Sequence, residues 1–283
     1  MSIFDKYVHG DGNEVALPNT RAKSFAFYGK KYCLTLITAS VLGSLFFAPS
    51  LAWLYVMNFN KAQFLASLDA TSENYAATLA AYLRSFTLTT YSVLILGAVL
   101  FFLGLAGVFS VVKRACFGEN ATVKHFFAGI RQNGLRFCLF GLVWGIAYFL
   151  FRMNLLFVSG VVLATFVHVT AAVLFLLVNV IIFYCCMQTV VYNVKLFATF
   201  KNAVVLTFAK FFQNFGALVV FFAPYLITLF IPSPFQLLAL LVLSFCYLGF
   251  AALFLGCFCN GVFDKTINPK LGEEFVGRGL RKQ

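Results

Sequence analysis

Charged residues are scarce in this chain. Only 11% of its 283 residues are Asp, Glu, Lys or Arg, whereas a soluble domain has about 25%. So little charge cannot cover a soluble surface, which excludes a soluble enzyme, a disordered chain and a nucleic-acid-binding domain. Apolar residues make up 62% of the chain, and the mean hydropathy is +0.92. These values predict an all-α fold, a polytopic transmembrane helix bundle.

Acidic residues are rarer still, and the predicted membrane spans contain none. The chain has nine Asp and Glu, all outside the six spans given below. An intramembrane protease or a proton-coupled pump usually needs a carboxylate at membrane depth. The sequence also lacks a glycine-rich phosphate loop, a Gly-x-Ser-x-Gly motif and a His-Glu-x-x-His motif. We therefore predict that the protein is not an enzyme and has no catalytic residues and no cofactor.

The eight cysteines do not form a metal-binding pattern. Cys185 and Cys186 are adjacent, Cys257 and Cys259 are two apart, and no histidine follows either pair at a ligand interval. None of the eight lies in a segment that is predicted outside the cell, where disulfides would form. The cysteines are therefore predicted to be small packing residues, with no metal site.

A signal peptide is also missing. About 30 mostly polar residues precede the first apolar run, whereas a signal peptide places its apolar region close to the start. The first apolar run is therefore predicted to be a retained span, preceded by a cytoplasmic tail over residues 1–31.

Six runs are long and apolar enough to cross a bilayer, which takes about 20 helical residues. They form a predicted transmembrane domain over 32–263, with spans at 32–57, 86–112, 137–158, 161–194, 215–231 and 235–263. Arg152 interrupts the third span, but Arg152 and Arg136 can both extend toward headgroups. Two alternatives stay open: five spans if Arg152 marks a re-entrant segment, or seven if the long fourth run is broken.

Lysine and arginine are unequally divided between the two sides of these spans. One side holds eighteen, in residues 1–31, 113–136, 195–210 and 264–283, and the other side holds three. Cytoplasmic segments carry the excess of Lys and Arg. Both termini are therefore predicted to be cytoplasmic, including the carboxyl tail 264–283.

Two basic segments on this side have the apolar periodicity of a helix. Val123, Phe126, Phe127 and Ile130 follow the spacing of one helix face. In 195–214, apolar residues recur every three to four positions, at Phe197, Phe200, Val204, Phe208 and Phe211. Both segments are predicted to be amphipathic helices in the inner interface that bind anionic lipid headgroups or a partner. The candidate binding residues are Lys113, Arg114, Lys124, His125, Arg131, Lys201 and Lys210.

Two further patterns concern packing and the outer surface. Gly141 and Gly145 have the small-xxx-small spacing, and Gly97, Gly104 and Gly107 add close-approach positions. They predict that spans two and three pack backbone to backbone, or that one of them forms a dimer face. Outside the membrane, a short surface helix is predicted over residues 71–83, with a substrate-admitting lid as the alternative.

The fourth span carries a stripe of polar residues. His168, Asn179, Cys186 and Asn193 are separated by 11, 7 and 7 residues, which places them within about 20° of one another around a helix. His168, Asn179 and Asn193 are candidates for a substrate pathway. The alternative, which we favour, is that they form hydrogen bonds between helices.

Four stretches and the amino tail form a recognisable set: residues 107–115, 125–133, 197–208 and 262–269, and a tail that contains Phe4-Asp5-Lys6. This set resembles the YesL-like family of bacterial integral membrane proteins, a domain of unknown function. The resemblance implies a multi-pass protein of the bacterial cytoplasmic membrane. It also implies an accessory role in carbohydrate uptake or utilisation.

Two functions are therefore carried forward. The first is a non-catalytic accessory or scaffold protein whose basic segments bind anionic lipids and another membrane protein, such as a sugar-transport component. A second copy of the chain is a further candidate partner, and nucleic acid is not expected. The alternative is a transporter or facilitator of a small solute, with a polar pathway along span four.

Overall fold

The computed structural model describes residues 17–69, 71–158, 163–192, 194–228, 230–231 and 233–281. Every regular element in this part of the chain is helical, which confirms the predicted all-α class. The described residues form ten α-helices and a 3-10 turn: α1 (Arg21–Lys31), α2 (Cys33–Leu45), α3 (Ala48–Ser67), α4 (Tyr75–Cys116), α5 (Lys124–Phe157), α6 (Ala164–Val191), α7 (Leu196–Ala209), α8 (Phe211–Thr228), α9 (Ser233–Thr266), α10 (Asn268–Leu271) and the turn Glu273–Phe275.

The first predicted span, 32–57, is two helices and not one. Helices α2 and α3 meet at 50° on either side of Phe46 and Phe47. Pro49 lies in the first turn of α3, where its missing N–H would have no helical partner in any case. A helix continuing from upstream would lose a hydrogen bond there, so the chain bends and a new helix begins.

Helix α4 is longer than the predicted span 86–112. The outer helix predicted over residues 71–83 is not a separate element, because α4 runs without a break from Tyr75 to Cys116. No glycine or proline occurs between Thr71 and Leu96, so no residue in that stretch interrupts the helix. After Cys116 the chain turns at Gly118, whose φ of 71° suits glycine.

The first basic segment does not form a helix of its own, so that part of the prediction is wrong. It forms the opening turns of α5, which continues through the predicted span 137–158 and ends at Phe157. Phe126 is fully buried and fills the space beside Gly107 of α4. Burial of this ring fixes the start of α5 against α4.

The later spans lie close to the predicted positions. Predicted spans 161–194, 215–231 and 235–263 correspond to α6, α8 and α9, and the largest difference is that α8 begins at Phe211. The second basic segment forms a separate helix, α7, as predicted, although the expected segment 195–214 extends into α8. Helix α7 has 14 residues, about 21 Å, which is too short to cross a bilayer.

Helices α4 and α5 pack backbone to backbone at Gly141 and Gly145, as the glycine spacing predicts, whereas Gly97 and Gly104 face α3 and α2 instead of α5. A Cβ atom at Gly141 would lie 2.8 Å from the carbonyl oxygen of Ala98, and one at Gly145 would lie 3.0 Å from the Cα of Ile95. Any side chain larger than hydrogen would therefore push the two helices apart. This seam lies at the centre of the bundle.

Five described helices are long and apolar enough to cross a membrane, or six if α2 and α3 form one bent span. Both described chain ends lie at the same end of this bundle, because the Arg281 N–H donates to the carbonyl oxygen of Pro18 at 3.0 Å. We call it the basic end; it comprises α1 and residues 113–136, 194–210 and 264–281, which are linked there by contacts of Arg21 with Asp264, of Glu119 with Arg114 and Arg278, and of Arg136 with Val194.

The three remaining described cations lie at the opposite end. The Arg152 guanidinium is 4.6 Å from the ring centroid of Tyr91, and the Lys61 ammonium is 5.4 Å from that of Phe86. Phe86 and Arg84 precede the basic end of α4 by roughly 30 residues, or about 45 Å of helix. The structure therefore separates the basic residues as the charge pattern predicts.

Candidate functional site

A largely buried ion pair joins the first helix, α1, to the last long helix, α9, at the basic end. Arg21 donates from Nε and Nη2 to Oδ2 of Asp264, at 2.9 and 2.7 Å. The other carboxylate oxygen, Oδ1, accepts from Asn268 Nδ2 at 2.8 Å and from the Gly277 N–H at 3.0 Å. Arg21 and Asp264 are only 12% and 13% exposed. The hydrogen bonds engage both oxygens of this carboxylate within the fold, so Asp264 has a structural role.

Glu119 forms a second, more exposed ionic cluster. Its carboxylate oxygens lie 3.1 Å from Arg114 Nη1 and 3.5 Å from Arg278 Nη2. Its backbone carbonyl accepts a hydrogen bond from the Tyr32 hydroxyl at 2.8 Å. Such exposed ion pairs contribute only about 0–1 kcal/mol each, so this cluster positions the tail more than it stabilises the fold.

Tyr28 ties the amino-terminal helix to the carboxyl tail. Its side chain is fully buried, and its hydroxyl donates to the carbonyl oxygen of Gly279 at 2.6 Å. Burial, and to a smaller extent the neighbouring Tyr32, raises the pKa of Tyr28 to about 12. Gly279 has φ of 79°, and a Cβ there would lie 2.2 Å from the carbonyl oxygen of Cys116, so only glycine fits.

Most cations at the basic end have no acidic partner. Of the sixteen described there, only Arg21, Arg114 and Arg278 form ion pairs with described carboxylates. The predicted binding residues Lys124, Arg131 and Lys201 are exposed, whereas Lys113 and Lys210 are partly buried; none of these five pairs with a described carboxylate. Thirteen of the sixteen therefore form no ion pair with a described carboxylate, and the four described carboxylates at this end, Glu119, Asp264, Glu273 and Glu274, leave it with a net charge of +12.

Two predicted binding residues are held within the fold. Arg114 pairs with Glu119, as described above. His125 Nδ1 accepts from the Thr122 N–H at 3.1 Å and lies 3.0 Å from the Thr122 hydroxyl. Both therefore help to shape the α4–α5 loop, which limits the contact they can make with a headgroup or partner.

Helix α7 turns its aromatic face outward. Phe197 is 83% exposed and Phe208 is 61% exposed, while Ala203 and Leu206 on the other face are buried. Lys201 is exposed between the two phenylalanines. We call this surface the α7 stripe; its members are Phe197, Lys201, Val204, Val205 and Phe208. Because one helix face carries both apolar groups and a cation, the stripe is suited to binding another membrane component.

The predicted polar stripe of span four makes contacts between helices. His168 Nδ1 lies 2.9 Å from Asn154 Oδ1 of α5. Asn179 Oδ1 accepts from Trp144 Nε1 of α5 at 3.0 Å, and its Nδ2 donates to the Phe175 carbonyl at 2.7 Å. Asn193 lies outside the described residues. Hydrogen bonds of this kind hold transmembrane helices together.

Asn179 also borders a cavity within the bundle. Two adjoining spaces of about 400 and 390 Å³ share seven lining residues, among them Phe101, Trp144, Asn179 and Phe222. His168 lines neither space, so the polar stripe does not form one continuous path there. The walls are mostly aromatic and aliphatic, which favours an apolar occupant over a polar solute.

The contacts that hold the basic end together join residues far apart in the chain. Arg21 and Asp264, which are separated by 243 positions, are not among the predicted binding residues, because no local pattern connects them. No protein-family model, curated protein or solved structure matches this chain. The resemblance to the YesL-like family therefore stays a prediction.

Proposed function

We propose that this chain is a non-catalytic accessory protein of the bacterial cytoplasmic membrane that associates with another membrane protein through its basic end. The observation that carries the proposal is the set of thirteen cations without a described carboxylate partner. The proposed link to carbohydrate uptake or utilisation rests on the YesL-like resemblance alone. In this proposal the basic end faces the cytoplasm.

Charge supports this orientation. Anionic lipids are concentrated in the cytoplasmic leaflet, and each basic residue near such a surface gains about 1 kcal/mol. Turning the protein over would place the basic end against the membrane potential and leave only Lys61, Arg84 and Arg152 inside. The orientation with both tails in the cytoplasm therefore has the lower free energy.

The position of the described chain ends supports six crossings. Because residues 18 and 281 meet at the basic end, an even number of crossings between them is the arrangement we propose. The five long helices reach six crossings when the bent pair α2 and α3 counts as one span. We therefore propose one bent first span followed by five helices.

The α7 stripe is the proposed contact surface for the partner. Phe197 and Phe208 supply apolar area and Lys201 supplies charge on a helix too short to span the bilayer. Exposed aromatic side chains are enriched at protein-binding surfaces. A partner segment with acidic residues would complement this stripe and its neighbour Lys195.

The proposal is tested by photo-cross-linking in living cells. Phe197 is replaced by a photoreactive phenylalanine analogue, and Phe166 serves as the matched control. Phe166 is 70% exposed and lies near the opposite end of the bundle, in the first turn of α6. We expect one discrete protein adduct from position 197 and none of that mass from position 166.

Charge variants identify the interaction responsible for the adduct. Changing Lys195 and Lys201 together to Gln should reduce its yield by up to about thirtyfold, because each exposed ion pair with an acidic partner contributes up to about 1 kcal/mol. Changing Arg84 to Gln, at the other end, should leave the yield unchanged. If the adduct yield of the Lys195 and Lys201 double variant equals that of the wild type, the proposal is contradicted. An adduct of twice the chain's mass would show self-association instead.

The alternative function, a small-solute transporter with a pathway along span four, stays a prediction. Its strongest support is that Asn179 borders the cavity within the bundle whose walls include Phe101, Trp144 and Phe222, which we call the aromatic cavity. Against it, His168 and Asn179 are bonded to α5 and do not line a shared space. The accessory role is better supported. Thirteen cations at the basic end form no ion pair with a described carboxylate, and a pathway for a neutral solute would not need them.

A further inference from the structure

A groove of about 660 Å³ opens at the basic end. It lies between α1, the start of α8 and the last turns of α9, and we call it the α1–α9 groove. Its volume falls within the range of roughly 300–1,000 Å³ that is usual for small-molecule sites. The groove is separate from the α7 stripe, whose five residues do not line it.

The walls of the groove are apolar. Phe25 of α1 packs edge-to-face on Phe254 of α9, with ring centroids 6.0 Å apart. Phe258 and Val262 continue this surface along α9, and Leu280 of the carboxyl tail closes it. An apolar surface of this kind gains free energy when a hydrocarbon group covers it.

Three cations line the same groove, and two of them are not neutralised. The charge of Arg21 is balanced by Asp264. Lys210 and Lys265 have no described carboxylate within ion-pair distance. Gln213, which is exposed, adds an amide N–H₂ that can donate hydrogen bonds. The groove thus combines two net positive charges with an apolar surface.

We infer that the α1–α9 groove binds one anionic glycerophospholipid, with its phosphate at Lys210 and Lys265 and an acyl chain along Phe25, Phe254 and Phe258. Lysines bind phosphate as point charges. Basic pockets between transmembrane helices on the cytoplasmic side are suited to anionic headgroups. A free phosphate would leave the aromatic walls uncovered, and a zwitterionic lipid would leave the lysines unneutralised. The site needs no partner protein, so it goes beyond the function proposed above.

The test is native mass spectrometry of the purified full-length chain in detergent, titrated with phosphatidylglycerol or with phosphatidylcholine of the same acyl chains. We expect the wild type to retain phosphatidylglycerol preferentially. Changing both Lys210 and Lys265 to Gln should weaken phosphatidylglycerol binding about thirtyfold, roughly fivefold for each lysine. Changing the exposed Lys30 and Lys270 to Gln is the matched control, since neither residue lines the groove, and should leave the affinity unchanged. Equal losses in both double variants would overturn the inference, because they would show binding by general surface charge.

A second variant examines the apolar half of the site. Gly261 lines the groove inside α9, and a Cβ there would lie 3.5 Å from Arg21 Cγ, an ordinary contact. Leucine is favoured over glycine within a helix, so Gly261→Leu should fold and should fill part of the groove. We expect it to lose phosphatidylglycerol binding while all the lysines remain. Unchanged binding by this variant, or displacement of the lipid by an equal concentration of glycerol 3-phosphate, would show that no acyl chain occupies the groove and would overturn the inference.

Discussion

Single side chains at the basic end fasten the two ends of the chain to each other. The Tyr28 hydroxyl donates a hydrogen bond to the carbonyl oxygen of Gly279. The Arg21 guanidinium donates to the carboxylate of Asp264 and to the carbonyl oxygen of Arg278. A buried donor or acceptor without a partner costs about 1–3 kcal/mol. Loss of any one of these contacts should therefore loosen the carboxyl tail while the membrane helices stay folded.

The Tyr28 contact predicts a pH-dependent contribution to stability. Burial raises the pKa of Tyr28 to about 12, whereas an unfolded tyrosine has a pKa of about 10. Because the unfolded chain releases this proton first, the contribution is complete below pH 10 and is lost as the pH rises through 12. The Tyr28→Phe variant should be less stable by about 1 kcal/mol at pH 8, and the gap to wild type should close above pH 10.

Thermal unfolding in detergent between pH 8 and 12 measures this gap. Tyr55→Phe is the control, since Tyr55 is 72% exposed, and this substitution should leave the stability curve unchanged. A gap between wild type and Tyr28→Phe that stays constant over the whole range would contradict the proposed role of the buried hydroxyl.

Residue-scale prediction from sequence succeeds for exposure and fails for pairing. The sequence places Lys124, Arg131 and Lys201 outside the spans, and all three are exposed. It does not predict that Asp264 meets Arg21, because ion-pair partners 243 residues apart follow from the three-dimensional fold alone. His125 shows the same limit, since its hydrogen bond to Thr122 depends on the shape of the α4–α5 loop.

Helices α4 and α5 are held together by close backbone contact. Gly141 faces the carbonyl oxygen of Ala98 and the Cβ of Phe102, which a Cβ at position 141 would approach to 2.8 and 2.9 Å. Both distances are shorter than a normal van der Waals contact. The seam leaves no room for a methyl group unless the helices shift.

The seam predicts that Gly141→Ala is destabilising, although alanine favours helices. Overpacking of this kind costs about 1–3 kcal/mol, which should lower the unfolding temperature in detergent. Gly216→Ala in α8 is the matched control, since no atom lies within 4 Å of a Cβ at that position. It should be neutral or stabilising by up to about 1 kcal/mol. Equal unfolding temperatures for the two variants would contradict close backbone packing of α4 and α5 at Gly141.

At the scale of helices, hydropathy locates the spans but not the helix breaks. The glycine spacing on spans two and three correctly predicts which helices touch, because close approach needs glycine at regular intervals. Hydropathy misses the break ahead of Pro49, since the apolar run continues through it. Hydropathy also underestimates the length of α4 and of α5. In each of these helices, polar residues outside the apolar run continue the helix without a break.

The whole molecule is organised by the separation of its charges. Sixteen described cations lie at one end, and Lys61, Arg84 and Arg152 lie at the other. This separation is visible in the sequence, because it depends only on which segments join the spans. The aromatic cavity and the α1–α9 groove are not visible there, because each is lined by residues from four or more segments that become neighbours only in the fold.

Cysteine accessibility in whole cells tests the orientation most directly. The background carries Ala at Cys33, Cys138 and Cys246, the native cysteines that are not buried in the structure. A single cysteine is then introduced at exposed Ser72 or at exposed Lys270.

The account predicts opposite labelling at these two positions. A membrane-impermeant maleimide should modify the Ser72→Cys variant in intact cells, because that position lies at the end away from the cytoplasm. The Lys270→Cys variant should react only after the cells are opened, since the basic end faces inward. Labelling of position 270 in intact cells would contradict the inward orientation of the basic end, and with it the proposed contact between the α7 stripe and a cytoplasmic partner.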